Sequence, residues 1–380
     1  MVEWKKLGDI AKRNKGIPIT AGQMSELNTS NGNVRVFAAG QTLADINEND
    51  LPENCAHLKP SIIVKSRGYI DFVFYEKPFT HKNEMWSYSF DDREEGKFLY
   101  YYLTTKTEFF RKKAKANSVK LPQLCVADTD DYLVPYPSLQ EQKRIVGILD
   151  TFTASIDNLK EQIAQRRKQF EYYRDQLLDL EGKEGVEMKK LGEVCDIKGR
   201  IGFRGYTRED QVGKGEGALT LTATNIVNQH INYQNNTYIT WEKYYESPEI
   251  MVNEEDIIVC QRGSIGKIAM VVNLKEKATI NPQLLLLKNI KCNNRFLIHY
   301  LLCRFFQEAL NKIIGHGTVQ MIAQKDLKEL QIPLITNSRE QQRIVSILDT
   351  FEASIQNLEA QLSQREKQYE YYRNKLLTFD

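Results

Sequence analysis

Two stretches of the chain, one near the middle and one at the end, space their apolar residues alternately by four and three. The first runs through Ile145, Leu149, Phe152, Ile156, Leu159, Ile163, Phe170, Tyr173 and Leu177. The second runs through Ile344, Leu348, Phe351, Ile355, Leu358, Leu362, Tyr369, Tyr372 and Leu376. That period lays one narrow apolar stripe along a helix and predicts a coiled-coil seam. Each stripe is broken once by an arginine, Arg166 and Arg365, whose long stem can carry its charge out to water. Both helices are expected to start at a capping box, with Ser138 and Glu141, and Asn337 and Glu340, at the N-cap and N3 positions. Pro137 and Pro333 stand just upstream, and Gly182 follows the first helix as a stop.

The two helices are copies. "EQKRIVGILDTFTASIDNLKEQIAQRRKQFEYYRDQLL" begins at Glu141 and "EQQRIVSILDTFEASIQNLEAQLSQREKQYEYYRNKLL" begins at Glu340, so a shift of 199 positions carries Asp150 onto Asp349. About two thirds of the aligned positions are identical, which marks an internal repeat. A weaker echo opens each half, "WKKLGDI" from Trp4 and "MKKLGEV" from Met188. The chain therefore divides into a first body at 1–137, a first helix at 138–181, a second body at 182–336 and a second helix at 337–380.

An exposed apolar stripe is costly, so the two helices are expected to pair with each other. In an antiparallel pairing, seam positions whose numbers sum to about 521 face one another. Ile145 then meets Leu376, Leu159 meets Leu362, Arg166 meets Ile355 and Arg365 meets Ile156. The pattern alone also permits a parallel pairing. The seam covers roughly 32 residues, or about 48 Å at 1.5 Å per residue. Paired head to tail, the helices would hold one body at each end about a pseudo-twofold axis, and so act as a ruler.

The bodies share a skeleton but little lettering. "SIIVKSRGYIDFVFY" from Ser61 parallels "DIIVCQRGSIGKIAMV" from Asp256, and both read as strand, tight glycine turn, strand. "KFLYYYLTTKTEFFRKKAKANSVK" from Lys97 and "RFLIHYLLCRFFQEALNKIIGHGTVQ" from Arg295 each read as one amphipathic helix followed by a turn. Each body closes on a short strand into proline, "YLVPYP" and "LQIPLI". The expected fold class is α/β (α+β): two globular domains of one fold joined by long helices. A common scaffold with different polar residues at matching turns suits two related recognition modules. The candidate readers are Lys65, Ser66 and Arg67 in the first hairpin, and Gln261, Arg262 and Ser264 in the second. Ser118, Lys120 and Gln123 follow the first helical segment, and Thr318, Gln320 and Gln324 follow the second. The earlier loops "FAAGQT" and "LTATNI" add Gln41, Thr224 and Asn225. Arginine and lysine suit phosphates or guanine edges, and glutamine and asparagine suit adenine edges. "RKKAKANSVK" is the densest basic run, though cations also gather at a helix C-terminus for local electrostatic reasons.

Composition narrows the classes further. No apolar run approaches the roughly 18 residues of a spanning helix, and the opening residues lack the apolar core of a signal peptide. A cytoplasmic location is expected. Cys55, Cys125, Cys195, Cys260, Cys292 and Cys303 form no CxxC pair, which fits reduced thiols. Cys55 and His57 offer only two ligands, so no metal centre is expected. A net charge of +2 neither requires nor excludes nucleic acid.

The order of body, long helix, body, long helix resembles the specificity subunit of Type I restriction–modification systems. "EQ.RIV.ILD" at Glu141 and Glu340, and the Arg-Gly hairpins at Arg67 and Arg262, carry that resemblance. It implies that each globular domain reads one half of a split double-stranded DNA site. It also implies that the helices dock two DNA methyltransferase (modification) subunits, and that restriction/translocase subunits join them. S-adenosylmethionine, and ATP with Mg2+ for restriction, would serve those partners, with no cofactor bound by this chain. The chain itself lacks a methyltransferase signature: "NPQL" at Asn281 misses the second proline and the aromatic residue of the adenine-methylating tetrapeptide. "GKGEG" from Gly213 lacks the order of a phosphate loop. A noncatalytic subunit is expected. Two other readings stay open, a coiled-coil scaffold carrying two ligand-binding domains without DNA, and a specificity subunit of another restriction class.

Overall fold

The computed structural model describes residues 2–118, 120–202, 205–315 and 320–379. The chain forms two compact units, Met1–Lys160 with Ala360–Asp380, and Glu161–Glu359. Each unit is thus a body completed by part of both long helices, Leu139–Leu177 and Ser338–Leu376.

In the first unit, strand Glu3–Lys6 pairs antiparallel with Leu133–Tyr136. The pair is a two-stranded ribbon, where Pro135 opposite Trp4 costs no central ladder bond. A four-stranded sheet runs in the order Lys12–Lys15, Trp86–Ser89, Ser61–Lys65, Asp71–Tyr75. Beside it, Val34–Phe37 lies between Leu43–Ile46 and a parallel partner, Phe79–His81. The second unit repeats the scheme. Val186–Lys190 pairs with Gln331–Ile335, again with a proline, Pro333, opposite Met188. Ile257–Cys260 sits between Leu284–Lys288 and Ile268–Met270, and Gly217–Leu221 runs parallel to Ala278–Ile280. Both hairpins turn through glycines at positive φ, Gly68 at +74° and Gly263 at +79°, where a Cβ would be strained.

The single amphipathic helix expected in each body is two helices. Arg93–Thr105 and Thr107–Asn117 break at Lys106, with φ −104° and ψ 5°. The Thr104 and Thr105 hydroxyls donate to the Tyr101 and Tyr102 carbonyls, each at 2.7 Å, just before the break. Asn294–Leu302 and Arg304–Lys312 break at Cys303, which is extended at ψ 161°. The capping boxes form only in part. Ser138 Oγ accepts from the Glu141 amide at 3.4 Å and Asn337 Oδ1 from the Arg339 amide at 3.0 Å. The Glu141 and Glu340 carboxylates pair forward with Arg144 and Arg343 instead of reaching back.

The start of each long helix lies in the core of its body. Ile145, Val146 and Leu149 pack with Phe98, Leu99, Leu103 and Tyr88, and Leu377 closes the same cluster. Ile344, Val345 and Leu348 pack with Phe296, Leu297, Leu301 and Leu285, joined by Leu178. Further along, within the first unit, Phe152 lies 6.5 Å from Tyr369 and stacks on Tyr372 at 5.4 Å, while Lys160 pairs with Glu366 at 3.7 Å. Within the second, Phe351 lies 6.3 Å from Phe170 and stacks on Tyr173 at 5.5 Å, and Arg167 pairs with Glu359. Partner numbers fall as positions rise, and the pairs Phe152–Tyr369 and Phe170–Phe351 each add to 521. Tyr173 and Tyr372 remain 44% and 42% exposed despite their seam positions, since one ring face stacks while the phenol edge stays wet. The seam arginines lie over aromatic rings. Arg166 lies over the Phe351 ring and Arg365 over Phe152, at 5.9 and 5.7 Å, one helical turn from Ile355 and Ile156.

A polar clamp holds each body's first helix to its long helix. Lys97 Nζ donates to Asp150 at 2.8 Å and the Tyr101 hydroxyl donates to the same carboxylate at 2.6 Å. At the matching places in the second unit, Arg295 bonds Asp349 and Glu352, and buried His299 Nε2 lies 2.8 Å from Asp349 Oδ1. Among the described residues, His299, Asp349 and Glu352 alone cluster closely enough to suggest metal ligands, but the Arg295 guanidinium already occupies both carboxylates. Burial works against ionisation of Asp349, but His299 and Arg295 hold its carboxyl below the ordinary 3.8. Its stabilising effect is therefore complete above that ordinary value and is lost as pH falls through the lower folded value. Asp349→Asn should cost about 1.5–3 kcal/mol at neutral pH and flatten the acid limb of stability. Urea unfolding across pH 2–7 checks this, and an unaltered acid limb would contradict the clamp.

Candidate nucleic-acid interface

In the first body three segments converge beside the Arg-Gly turn. The strand Ser61–Lys65 runs out into Ser66 and Arg67, where Arg67 forms an isolated antiparallel bridge with Gln123. The Leu124 amide donates to the Ser66 carbonyl at 2.8 Å, fixing the segment that follows the helices. Ser66 is fully buried, and its hydroxyl donates to the Glu84 carbonyl at 2.5 Å, which ties in the loop before strand Trp86–Ser89. Lys65 is 8% exposed and its ammonium donates to the Gly40 carbonyl at 2.6 Å, which ties in the loop carrying Gln41. Burial pushes the Lys65 ammonium below its ordinary pKa, with Asp71 pulling the other way. Arg67, Gln123, Lys120 and Gln41 are exposed or half-exposed on this assembly, and Ser118 is half-buried at the helix end. In the basic run, Arg111 pairs with Glu108 and Lys113 with Asp128, so part of its charge is neutralised locally. Lys112 and Lys115 remain exposed.

The second body builds the same convergence from different residues. Arg262 bridges Met321, and the Ile322 amide donates to the Gln261 carbonyl at 3.1 Å. Gln261 is 9% exposed; its backbone amide donates to the Gln283 carbonyl at 2.9 Å and its side-chain amide to the Pro282 carbonyl at 3.0 Å. Lys267 reaches the Ile226 carbonyl at 3.4 Å, holding the loop that carries Thr224. Asn225 is buried, with its amide donating to the Asn232 carbonyl at 3.0 Å. Arg262, Gln320 and Thr224 are exposed and Ser264 is half-buried. Thr318 lies outside the described residues.

Most of the expected readers fall into two groups, with Ser118 and Ser264 half-buried between them. Lys65, Ser66, Gln261 and Asn225 face inward and fasten loops to one another. Arg67, Gln123, Lys120, Gln41, Arg262, Gln320 and Thr224 present outward. Gln324 begins the short helix Gln324–Glu329, and its side chain donates to the Ile197 carbonyl, so the counterpart of Gln123 is Met321. The loop residues Glu84 and Gln283 were not anticipated. They could have been, because the helix shift of 199 also carries Thr80 onto Thr279 and Glu84 onto Gln283.

The geometry defines a duplicated protein, with two faces of one construction and unlike side chains. Comparison with known proteins agrees. The Type I restriction modification DNA specificity domain matches residues 1–166 and 183–366, and the chain belongs to that family. The chain is 29% identical over 399 residues to the Type I restriction enzyme EcoR124I/EcoR124II specificity subunit of Escherichia coli, covering 100% of this chain and 94% of that protein. The crystal structure of a Type I restriction–modification S subunit from M. genitalium shares the fold. Its TM-score is 0.63 at 17% identity, covering 100% of this chain and 97% of that one. A chain solved in work on complex assembly and conformational transition of the type I restriction–modification system matches at a TM-score of 0.55 and 18% identity. That match covers 100% of this chain and 98% of the other. No helix among the described residues is long and apolar enough to cross a membrane.

Replacing Lys65 with Met keeps the buried stem and removes the donor to Gly40. Amide hydrogen exchange in residues 38–42 should then accelerate, with strand Ser61–Lys65 still protected. Unchanged exchange would mean that something else holds the loop.

Proposed function

We propose that this chain is the noncatalytic, sequence-specific DNA-binding subunit of a Type I restriction–modification complex, each body reading one half of a bipartite double-stranded site. The observation that carries this is the pair of faces around Arg67 and Arg262. Each joins a hairpin end to a post-helical segment by the same isolated bridge, and the residue before the arginine ties it to a loop later in the chain, at Glu84 and at Pro282. The outward residues differ between the faces, so the half-sites differ and the whole target is not a palindrome. The shared arginines suit phosphate contacts or guanine edges, and the unlike residues around them suit base edges.

In this reading, residues 1–137 and 182–336 are the target-recognition domains and 138–181 and 337–380 the helices between them. The seam contacts that add to 521 support an antiparallel coiled coil about a pseudo-twofold axis. Such a pair sets the spacer between half-sites. Because the helix surface is spelled twice, it suits two copies of one partner, the DNA-methylating subunit. Methyl transfer from S-adenosylmethionine belongs to those partners. ATP- and Mg2+-dependent restriction belongs to further subunits. A cytoplasmic location follows from the same role.

Arg67→Ala should weaken recognition of one half-site and Arg262→Ala of the other. If an arginine contacts one phosphate, its loss should also make the log–log salt dependence shallower by about 0.9. Competition binding of the complex to target fragments with either half scrambled, between about 50 and 200 mM salt, checks both. If both substitutions degrade the same half, one body per half-site is wrong.

A further inference from the structure

Glu84 and Gln283 occupy one scaffold position in the two bodies. Strand registers establish this independently of the sequence shift. Val64 faces Trp86 and Val259 faces Leu285, while Phe37 faces His81 and Leu221 faces Ile280. The backbone at this position is pinned in both bodies, Glu84 by the Ser66 hydroxyl and Gln283 by the Gln261 amide. What differs is the side chain, and it differs in hydrogen-bonding polarity.

Gln283 is exposed, and the orientation of its amide follows from its neighbours. The Gln283 backbone N–H donates to Asn281 Oδ1 at 3.0 Å, which fixes the Asn281 carbonyl as the acceptor. Asn281 Nδ2 must then be the donor to Gln283 Oε1 at 3.1 Å. With its carbonyl so engaged, Gln283 presents Nε2, the end nearest the turn at Gly263. The position therefore offers donors. Glu84 offers acceptors alone, one of them shared with Lys82 at 3.3 Å. The Glu84 side chain is 18% exposed and its pairing with Lys82 engages one carboxylate oxygen, so the other is the acceptor this position can offer to an amino group.

On the reading of these faces as DNA-contacting, we propose that this shared position is a base-discriminating site of opposite polarity in the two halves. Glu84 accepts from a base amino group, cytosine N4 or adenine N6, in one half-site. Gln283 donates to a base acceptor, such as guanine O6 or N7 or thymine O4, in the other.

The test uses the full chain co-expressed with its modification subunits, with methylated adenines mapped by single-molecule sequencing for the wild type, Glu84→Gln and Gln283→Glu. Each near-isosteric change should reduce discrimination at one base of one half-site by about tenfold or more. The opposite half should keep its sequence and so report an intact fold. A motif retained letter for letter in both variants would overturn the inference, as would an even loss across all positions or loss of methylation altogether. A wild-type motif lacking two separate halves would instead sink the underlying reading, and this inference with it.

Discussion

A helix with an apolar stripe must cover it, and in each compact unit of this protein the other helix helps to do so. Phe152 is stacked by Tyr372 and Phe351 by Tyr173, with a seam arginine lying over each phenylalanine. Each such aromatic stack contributes about 0.5–1.5 kcal/mol beyond its buried area. Its larger consequence is organisational. Because each unit contains a portion of both helices, neither body is completed by sequence from its own half alone: Leu377 closes the core of the first and Leu178 that of the second.

Duplication then supplies the rest. The same three-segment convergence appears in both bodies because both inherit the same strand registers and the same glycine turn at positive φ. The inward residues that fasten the loops differ in chemistry yet have the same effect. Ser66 holds its loop with a hydroxyl, where Gln261 uses its backbone and side-chain amides. The scaffold lets residues at matching positions diverge, and they have, as exposed Gln283 against half-buried Glu84, or exposed Gln123 against half-buried Met321, illustrate. The long helices diverge far less, with about two thirds of their aligned positions identical.

Much of this was legible in the chain. Period and repetition pointed to the helices and gave the register an antiparallel pairing would have, while leaving a parallel pairing open. The hairpins could be read from strand runs around Arg-Gly turns. Two things were not legible. Local hydrogen bonding split each body helix, at Lys106 and at Cys303, where periodicity continued unbroken. Burial also sorted the candidate readers: nothing in the letters of Lys65 or Gln261 says that their polar ends turn inward to backbone carbonyls. Glu84 and Gln283 carried a signal in their common shift, but only the Ser66 and Gln261 bonds show that this loop lies beside the arginine.

The central claim is that one chain carries two unlike readers on one duplicated scaffold. It is tested most directly by single-molecule sequencing of adenine methylation in DNA from cells carrying this chain with its modification partners as the sole methylating system. The account predicts one recurrent motif of two different short sequences separated by a fixed stretch of unspecified bases. A contiguous motif, or two identical halves arranged as a palindrome, would contradict it.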